Sequence, residues 1–375
     1  MAVPEPKWHW KSGLLSEWPP ILISLTLSGI GLALIFSATS PMGEAGRSFV
    51  LRQMTWCSLG VVLMAIGILF DYHVLERWGL WFFIFIIAAL VTVWALGKVT
   101  SGSRRWIDLG LLRFQPSEFA KLAVVIALAG MFRDRGGKGP LEPRDLIQPL
   151  VVVTIPVLLV LIQPDLGTAA VIFFIAVSMI LFVGVDRRTL LWLGGFALAA
   201  IPTLMLFGDR LLMAYQKKRL LTFMNPDYDP LGAGYHVIQS QIAIGSGGIL
   251  GKGFLKGTQN QLSFLPVKHT DFIFSVLAEE WGFIGCVVVL GLFLALFLRG
   301  LGIVGKARDN FGALLAFGCT AILFWHVTIN VGMVMGLLPV VGVPLSFLSY
   351  GGSSLIASFL VISILVNVSL RKFSY

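Results

Sequence analysis

Long apolar runs recur along most of this chain and alternate with short polar segments. Ten of them approach the twenty or so residues that a helix needs to cross the hydrocarbon core of a bilayer. The ten runs cover about 20–37, 50–69, 79–96, 116–132, 148–162, 166–184, 190–207, 272–297, 313–335 and 352–369. Backbone groups in lipid must pair within their own segment, so the pattern predicts an all-α polytopic membrane protein.

The spacing of the runs predicts one membrane domain over residues 1–375. Its parts are an N-terminal segment (1–19), helices one to seven (20–207), a large external loop (208–271), helices eight to ten (272–369) and a tail (370–375). An even number of spans puts both termini on one side. The loops of that side carry 14 Lys and Arg residues, against six in the short loops opposite. Positive charge marks the cytoplasmic side, so both termini are predicted to be cytoplasmic.

Composition supports the membrane prediction and excludes other classes. The chain is 57% hydrophobic and 13% charged, which is unlike a soluble domain. Its net charge of +9 is partly a topology signal, and no nucleic-acid-binding motif accompanies it. Cys57, Cys286 and Cys319 all lie in apolar runs, which predicts small core residues and no disulfide or metal framework.

Polar residues at the start of the fourth run are the first candidates for chemistry. A charge at the centre of a span costs at least about 2.5–3.5 kcal/mol, so each one needs a reason. In RFQPSEFAK, the spacing of Gln115, Glu118 and Lys121 puts them on one helix face. One interpretation is a Glu118–Lys121 ion pair that makes burial tolerable. We favour another, in which Arg113, Gln115 and Lys121 face a polar cavity open to the outside, because the cations outnumber Glu118.

The stretch PVKHTDFIFSVLAEEWG, at 266–282, sets a carboxylate at the mouth of the eighth run. Asp271 has two interpretations: a helix cap, or a general base beside a cationic cluster that suits an anionic lipid headgroup. That cluster is Lys268 with His269 and Thr270. Glu279 lies eight residues on, roughly 12 Å deeper on a similar face, while Glu280 points elsewhere.

Other polar positions are open to two interpretations each. Asp165, in the QPDLGT turn, is either an N-cap or part of a site, and Arg52 at the start of the second run is either an interfacial or a functional arginine. The glycine-rich middle of loop 208–271 lacks a P-loop pattern, which favours tight turns and close backbone approach over a phosphate or sugar cradle. SYGGSS at 349–354 lacks the G-x-S-x-G pattern, and the histidines show no metal-ligand spacing.

Several long motifs together resemble the SEDS family, named for shape, elongation, division and sporulation. They are RWIDLGLLRFQPSEFAK, QPDLGT, DPLGAGYHVIQSQIAIGSGG, FLPVKHTDFIFSVLAEEWGFIG and GLLPVVGVPLSFLSYGGSS, and the resemblance covers nearly all of 20–370. The VVGVPL segment is more similar to the members that act in elongation than to those that act in division. Ser346 departs from the usual Pro of that segment, which affects the entrance of helix ten and not the chemistry.

The resemblance implies a peptidoglycan glycosyltransferase that polymerises lipid II during cell elongation and rod-shape maintenance, in the bacterial plasma membrane with its active site outside. It implies an essential role for Asp271, with Arg113, Lys121 and Asp165 as further motif residues. We expect Asp271 to be the catalytic base. The expected substrate-binding residues are Arg52, Arg105, Arg113, Gln115, Glu118, Lys121, Asp165, Lys268, His269, Thr270, Glu279, Ser349 and Gly351.

The same resemblance sets expectations for cofactors and partners. A divalent cation, Mg²⁺ or Mn²⁺, would assist with the diphosphate, with Asp165 or Glu118 as ligands, although no dedicated metal site is visible. The expected partners are lipid II, the growing glycan-lipid, a class B penicillin-binding protein that cross-links the product, other membrane proteins of the elongation complex and membrane lipids. Nucleic acid is not among them.

A lipid II flippase is the alternative, and a pure scaffold is a third class. A flippase needs polar groups along the whole crossing, whereas a polymerase needs them concentrated outside. The candidate residues map to the external side, which favours the polymerase. A scaffold leaves Asp271 and Lys121 unexplained.

Overall fold

The computed structural model describes residues 18–96, 105–108, 113–135, 139–195, 198–199, 213–225, 228–229, 232–262, 264–265 and 268–371. The described helices are α1 (Trp18–Thr39), α2 (Glu44–Leu69), α3 (His73–Leu96), α4 (Pro116–Phe132), α5 (Ile147–Ile162), α6 (Leu166–Val183), α7 (Ala214–Met224), α8 (Ala233–Gly247), α9 (Thr258–Gln261), α10 (Ile273–Val304), α11 (Asn310–Val334) and α12 (Gly352–Leu370). Two-residue strands, β1 (Ile107–Asp108) and β2 (Arg113–Phe114), pair antiparallel ahead of α4. The all-α prediction therefore holds apart from this small hairpin.

Eight helical segments of the described chain are long and apolar enough to span a membrane. They correspond to the predicted spans other than the fourth and the seventh. The fourth is present as α4, which has 17 residues. The seventh is helical at 187–195 and 198–199, and its remainder lies outside the described residues. The total of ten spans and the placement of the termini stay predictions.

Two helices begin earlier than their apolar runs. Helix α2 begins at Glu44 and not near residue 50, and α3 begins at His73 and not near 79. Their first turns are polar, as expected where a helix passes through the headgroup region, and hydropathy does not detect such turns. Arg52 was predicted to begin the second helix, and that prediction is wrong, because Arg52 lies inside α2 on its exposed face.

The centre of the bundle is formed by α11 and α12. Of their most apolar windows, 72% and 78% is buried inside the protein, against 22% for α2. Helix α11 packs against α4, α6 and α10, and α12 packs against α2 and α11. The polar side chains of Thr320, His326 and Asn330 on α11 therefore lie within the protein and not in lipid. Cys319 is buried and the other two cysteines are partly buried, which agrees with their prediction as small core residues.

Helix α10 is broken at Gly282, whose φ of 65° and ψ of −163° are not helical. Backbone groups of the glycine-rich loop fill the break. The Glu279 carbonyl accepts from the Lys252 amide at 3.0 Å, and the Phe283 amide donates to the Gly248 carbonyl at 2.9 Å. Irregular backbone at the membrane is tolerated only where protein satisfies it. The interpretation of these glycines as sites of close backbone approach is confirmed.

A second irregular stretch connects α11 to α12. Residues 341–349, which we call the re-entrant segment, are non-helical and almost entirely buried. A Cβ added at Gly31, in the middle of α1, would lie 2.5 Å from the Phe347 carbonyl oxygen. The segment therefore folds back into the bundle. Ser346, the departure noted in the sequence, is 1% exposed within it.

Candidate active site

Asp271 lies just ahead of the broken helix. Helix α10 begins at Ile273, and its N-cap position is Phe272, so Asp271 stands one residue too early to cap it. The capping interpretation of Asp271 is therefore wrong. Its partly exposed carboxylate faces Gly342 of the re-entrant segment, where an added Cβ would lie 3.2 Å from Oδ2.

The backbone around Asp271 is bound to the re-entrant segment. The side-chain amide of Asn330, on α11, donates to the Asp271 carbonyl at 2.9 Å and to the Val343 carbonyl at 2.7 Å. The Ser349 hydroxyl donates to the Thr270 carbonyl at 2.6 Å and accepts from the Leu345 amide at 2.8 Å. These bonds hold the carboxylate at a defined position, and a general base needs such a position.

Four charged side chains, Arg105, Asp165, Arg219 and Asp271, interact electrostatically on this side of the bundle. We call them the outer charge cluster. Removal from water raises the pKa of Asp271 to about 6, against the opposing influence of Arg105 and Arg219. Burial also lowers the pKa of the Arg219 guanidinium. Asp271 is therefore a carboxylate whose proton affinity suits a base near neutral pH.

Asp165 fits the N-cap interpretation, and its role in a functional site stays a prediction. It caps α6, because the Thr168 amide donates to Oδ1 at 3.1 Å and the Thr168 hydroxyl to Oδ2 at 2.9 Å. Its Oδ1 also lies 3.8 Å from Nη1 of Arg105. Arg105 donates in addition to the carbonyls of Gln163 and Pro164, which holds it over the turn.

A second charged group lies within the bundle and consists of Glu118, Lys121 and His326. Lys121 Nζ is 2.8 Å from Glu118 Oε2 and 2.7 Å from His326 Nε2, and Nδ1 of His326 lies 3.1 Å from the Pro344 carbonyl. All three residues are at most 3% exposed. The ion-pair interpretation of Glu118 and Lys121 is confirmed. We call the three residues the buried triad, and it supports the re-entrant segment through Pro344.

The other predicted residues of the RFQPSEFAK motif lie around the entrance to α12. The Gln115 amide donates to the Ser353 hydroxyl at 3.1 Å, and its side chain donates to the Ser117 hydroxyl at 3.1 Å. The backbone of Arg113 pairs with Asp108 in the hairpin, and its side chain lies outside the described part of the chain.

The side-chain amide of Gln53, on α2, forms hydrogen bonds to the backbone on both sides of Tyr350. Its Nε2 donates to the Ser349 carbonyl at 3.2 Å, and its Oε1 accepts from the Gly351 amide at 3.2 Å. Arg52, the preceding residue of α2, is exposed.

The side chains of Lys268 and Glu279 form their hydrogen bonds with residues other than Asp271. Lys268 is 2% exposed and donates to the Asn260 carbonyl. The Glu279 carboxylate accepts from Lys252 Nζ at 2.8 Å and from the Gln259 amide at 2.9 Å, so it binds the glycine-rich loop. The predicted shared face of Asp271 and Glu279 presupposed one continuous helix, whereas Asp271 precedes the helix.

Two further residues of this stretch make contacts away from the outer charge cluster. Glu280 accepts hydrogen bonds from Ser37, on α1, and from Asn260. The His269 ring packs between two aromatic rings, 4.9 Å from Phe49 and 5.7 Å from Tyr350 by ring centroid. His269 therefore belongs to an aromatic cluster two residues ahead of Asp271.

The expected divalent cation finds a poor donor set. No group of three His, Cys, Asp or Glu side chains suited to a metal occurs within the described ranges. Both carboxylate oxygens of Asp165 accept from Thr168, and the Glu118 carboxylate pairs with Lys121. These residues do not fit a resident metal, and no step of the reaction is assigned to one.

Comparisons with known proteins agree with this architecture. Residues 19–373 match the cell cycle protein family of FtsW, RodA and SpoVE. The chain is 41% identical over 366 residues to the peptidoglycan glycosyltransferase MrdB of Escherichia coli K12, covering 95% of each chain. The crystal structure of the rod shape determining protein RodA of Thermus thermophilus aligns with a TM-score of 0.71 at 27% identity, over 99% of this chain and 100% of that one.

A further structural match is a peptidoglycan synthase complex that coordinates polymerisation and crosslinking, with a TM-score of 0.79 at 32% identity over 96% of this chain and 98% of that one. The chain belongs to the FtsW/RodA/SpoVE family, as the motifs predicted. With its eight apolar helices, it is a multi-pass protein of the bacterial inner membrane.

Three residues in or beside these groups were not predicted from the sequence as site residues. His326 and Asn330 are polar residues inside a predicted span, and the cost of burying a polar group without a partner is the signal that could have found them. Arg219 was hidden within the long loop, where a single cation carries no pattern.

Proposed function

We propose that this peptidoglycan glycosyltransferase joins two lipid II molecules at the external surface, with Asp271 as the general base. The observation that carries the assignment is the position of Asp271. The backbone of Asp271 is held by Asn330, which also binds the re-entrant segment. Its carboxylate lies in the outer charge cluster and has a pKa of about 6.

The reaction transfers a glycosyl group from a diphosphate to a hydroxyl. The acceptor oxygen forms a bond to the anomeric carbon of the donor while Asp271 takes its proton. The bond from that carbon to the diphosphate oxygen breaks, and the polyprenyl diphosphate leaves with the electron pair. Cations near the leaving oxygens stabilise their growing charge. We propose Arg105 for this role, together with Arg52 and Arg113.

Lys121 has a positioning role in this proposal. Its ammonium group is shared by Glu118 and His326, and His326 contacts the Pro344 carbonyl. The buried triad therefore fixes the position of the re-entrant segment, and that segment holds the backbone of Thr270 and Asp271. Loss of Lys121 is transmitted to the base without a direct contact to substrate.

A transpeptidase partner follows from the chemistry of the product. Glycan strands must be cross-linked, and the sequence carries no transpeptidase motif. The similar synthase complex coordinates polymerisation with crosslinking. We therefore propose a class B penicillin-binding protein as partner during cell elongation, resting on the external helices α7 to α9.

The direct test is polymerisation of labelled lipid II by the purified full-length chain, with glycan chains separated on a gel. We expect chains with the wild type and none with Asp271→Asn. Transport of lipid II across liposomes without any glycan product would support the flippase alternative instead.

A further inference from the structure

A pocket lies between α7, α8 and the turn that follows α11, on the external side. Its cavity volume is about 50 Å³, which leaves room for a small group such as a phosphate and not for a whole lipid molecule. Its lining is mostly apolar with a few polar groups, and consists of Arg219, Thr222, Phe223, Val237, Gln241, Gly336, Leu338, Pro339 and Val340. Such a lining suits a ligand that is part apolar and part charged.

Two polar groups of this pocket have unmet hydrogen-bonding capacity. Arg219 and Thr222 are three residues apart on α7, so they share one helix face. Among the residues that the structure describes, neither Nη1 of Arg219 nor Oγ1 of Thr222 has a hydrogen-bond partner, although both atoms are buried. Thr222 as a whole is 3% exposed. An unpaired buried donor is costly, and an anionic oxygen supplies what both groups lack.

The pocket adjoins the proposed base. Val340 lines the pocket, and two residues later Gly342 faces the Asp271 carboxylate. Arg219 also interacts electrostatically with Asp271 and Arg105. The positive charge of Arg219 is therefore part of the outer charge cluster. It is supplied by α7, which belongs to loop 208–271.

We propose that Arg219 and Thr222 bind a phosphate of the polyprenyl-linked substrate, with the apolar wall holding the first part of its chain. This inference rests on the proposed function and names a binding site for its substrate. The guanidinium provides paired donors and the hydroxyl a further one, which matches phosphate geometry. Helix α7 is thus a substrate-binding element as well as an external surface.

The test measures binding of farnesyl diphosphate to the purified full-length chain in zwitterionic nanodiscs, with farnesol as the uncharged probe. Arg219→Gln is expected to weaken farnesyl diphosphate binding about tenfold or more, because a charged hydrogen bond is lost. Arg219→Lys is expected to retain part of the affinity, and Thr222→Val to lose several-fold. Farnesol binding is expected to be the same in all variants.

Lys218→Gln is the matched control. It removes one positive charge from the same helix, and Lys218 is 58% exposed and paired with Asp229 at 3.1 Å. Equal loss of binding in Lys218→Gln and Arg219→Gln would overturn the site in favour of a general charge effect. Unchanged binding in both Arg219→Gln and Thr222→Val would overturn it outright.

Two further measurements are needed. One distinguishes a membrane-lipid phosphate from a substrate phosphate, and the other distinguishes failure of this site from failure of the proposed function. If phosphatidylglycerol nanodiscs abolish the Arg219-dependent binding of farnesyl diphosphate, the pocket is a lipid-headgroup site and the substrate assignment is overturned. If the wild type fails to polymerise lipid II but still binds farnesyl diphosphate through Arg219 and Thr222, the site stands and the proposed function fails. If Arg219→Gln does not fold, the binding measured with Thr222→Val tests the site, because this change keeps the size and the neutral charge of the side chain and removes only the hydroxyl.

Discussion

The two groups of charged residues in this chain differ in how completely they are satisfied. In the buried triad, Lys121 contacts both Glu118 and His326, and His326 contacts a backbone carbonyl. In the outer charge cluster, Asp271 is partly exposed and Arg219 keeps a buried Nη1 that has no partner within the described chain. The triad is closed on itself, whereas the cluster has capacity left for a ligand.

The difference separates a structural use of charge from a chemical one. A buried ion pair is strongly destabilising to break because the remaining charge is left without a partner. A cluster with unmet hydrogen bonds costs stability while empty and recovers it when a ligand binds. Burial of charge is therefore common to both groups, and we expect the chemistry at the group whose pairing is incomplete.

The largest expected effect is that of Asp271→Asn. The change keeps the shape of the side chain and removes the base, so polymerisation of lipid II should fall by at least about 10²-fold and reach background. Gel-separated glycan chains measure it. Asp229→Asn, which removes a carboxylate paired with Lys218 in the same loop, should retain near wild-type activity. Near wild-type polymerisation by Asp271→Asn would exclude the base assignment.

The same variant should be more stable than the wild type at high pH. The pKa of Asp271 is raised in the folded state, so the stability linked to it is lost as pH rises from about 4 to about 6. Asp271→Asn should therefore unfold at a higher temperature than the wild type at pH 8 and at the same temperature at pH 4. Thermal unfolding in detergent measures both.

Breaking the triad tests the other half of the comparison. Lys121→Met leaves Glu118 buried without its cation, and we expect a loss of about 3–5 kcal/mol in the free energy of unfolding. The double variant Glu118→Gln with Lys121→Met should recover most of that stability, as a double-mutant cycle would show. Loss of stability that is simply additive would mean that Lys121 and Glu118 act independently.

Activity in the same double-mutant cycle distinguishes positioning from direct binding. If Lys121 positions the re-entrant segment, the double variant recovers part of the polymerisation rate together with stability. Recovery of stability with no recovery of rate would instead assign Lys121 to the diphosphate.

The pH profile should move when the outer charge cluster is altered. The ionised carboxylate is the base, so activity of the wild type should fall as pH decreases through about 6. Arg105 lowers the pKa of Asp271, and Arg105→Gln should therefore shift this fall to higher pH. An unshifted profile, measured as rate against pH at saturating lipid II, would place Arg105 outside the electrostatic field of the base. Lys218→Gln is the matched control here also.

The smallest expected effect is that of Ser349→Ala. Its hydroxyl connects the Leu345 amide to the Thr270 carbonyl, and the loss of these two hydrogen bonds costs about 1–3 kcal/mol. Activity should fall less than in Asp271→Asn because the base is displaced and not removed. Ser358→Ala is the control, since the Ser358 hydroxyl bonds only back to its own helix at Ser354. Equal effects of the two changes would show that Ser349 does not position the base.

Much of the bundle was predictable because lipid imposes a simple rule on the sequence. The helices α1 to α6 and α10 to α12 coincide with apolar runs, and the family was predictable from long motifs. The ends of the helices were less predictable, because the polar first turns of α2 and α3 leave no hydropathy signal. The re-entrant segment VVGVPLSFL is apolar like a span, but its depth in the bundle depends on contacts such as that with Gly31.

The candidate site was predictable only where a local pattern carried it. The Glu118–Lys121 pair follows from a three-residue spacing, and the cap by Asp165 follows from its turn. The pairing of Lys268 with Asn260 depends on how the long loop folds back over α10. Arg219 and His326 come from distant elements, and no spacing in the sequence brings them to Asp271 and Lys121.

The contact between the glycine-rich loop and the break in α10 has a consequence for how the sequence can change. Gly247, Gly251 and Gly282 each lie where an added Cβ would overlap backbone atoms of the facing segment. No shortening of a neighbouring side chain can relieve such an overlap, because the obstacle is main chain. Drift at these three positions is therefore blocked by shape alone, and a substitution at any one of them separates the loop from α10, the helix that follows the proposed base Asp271.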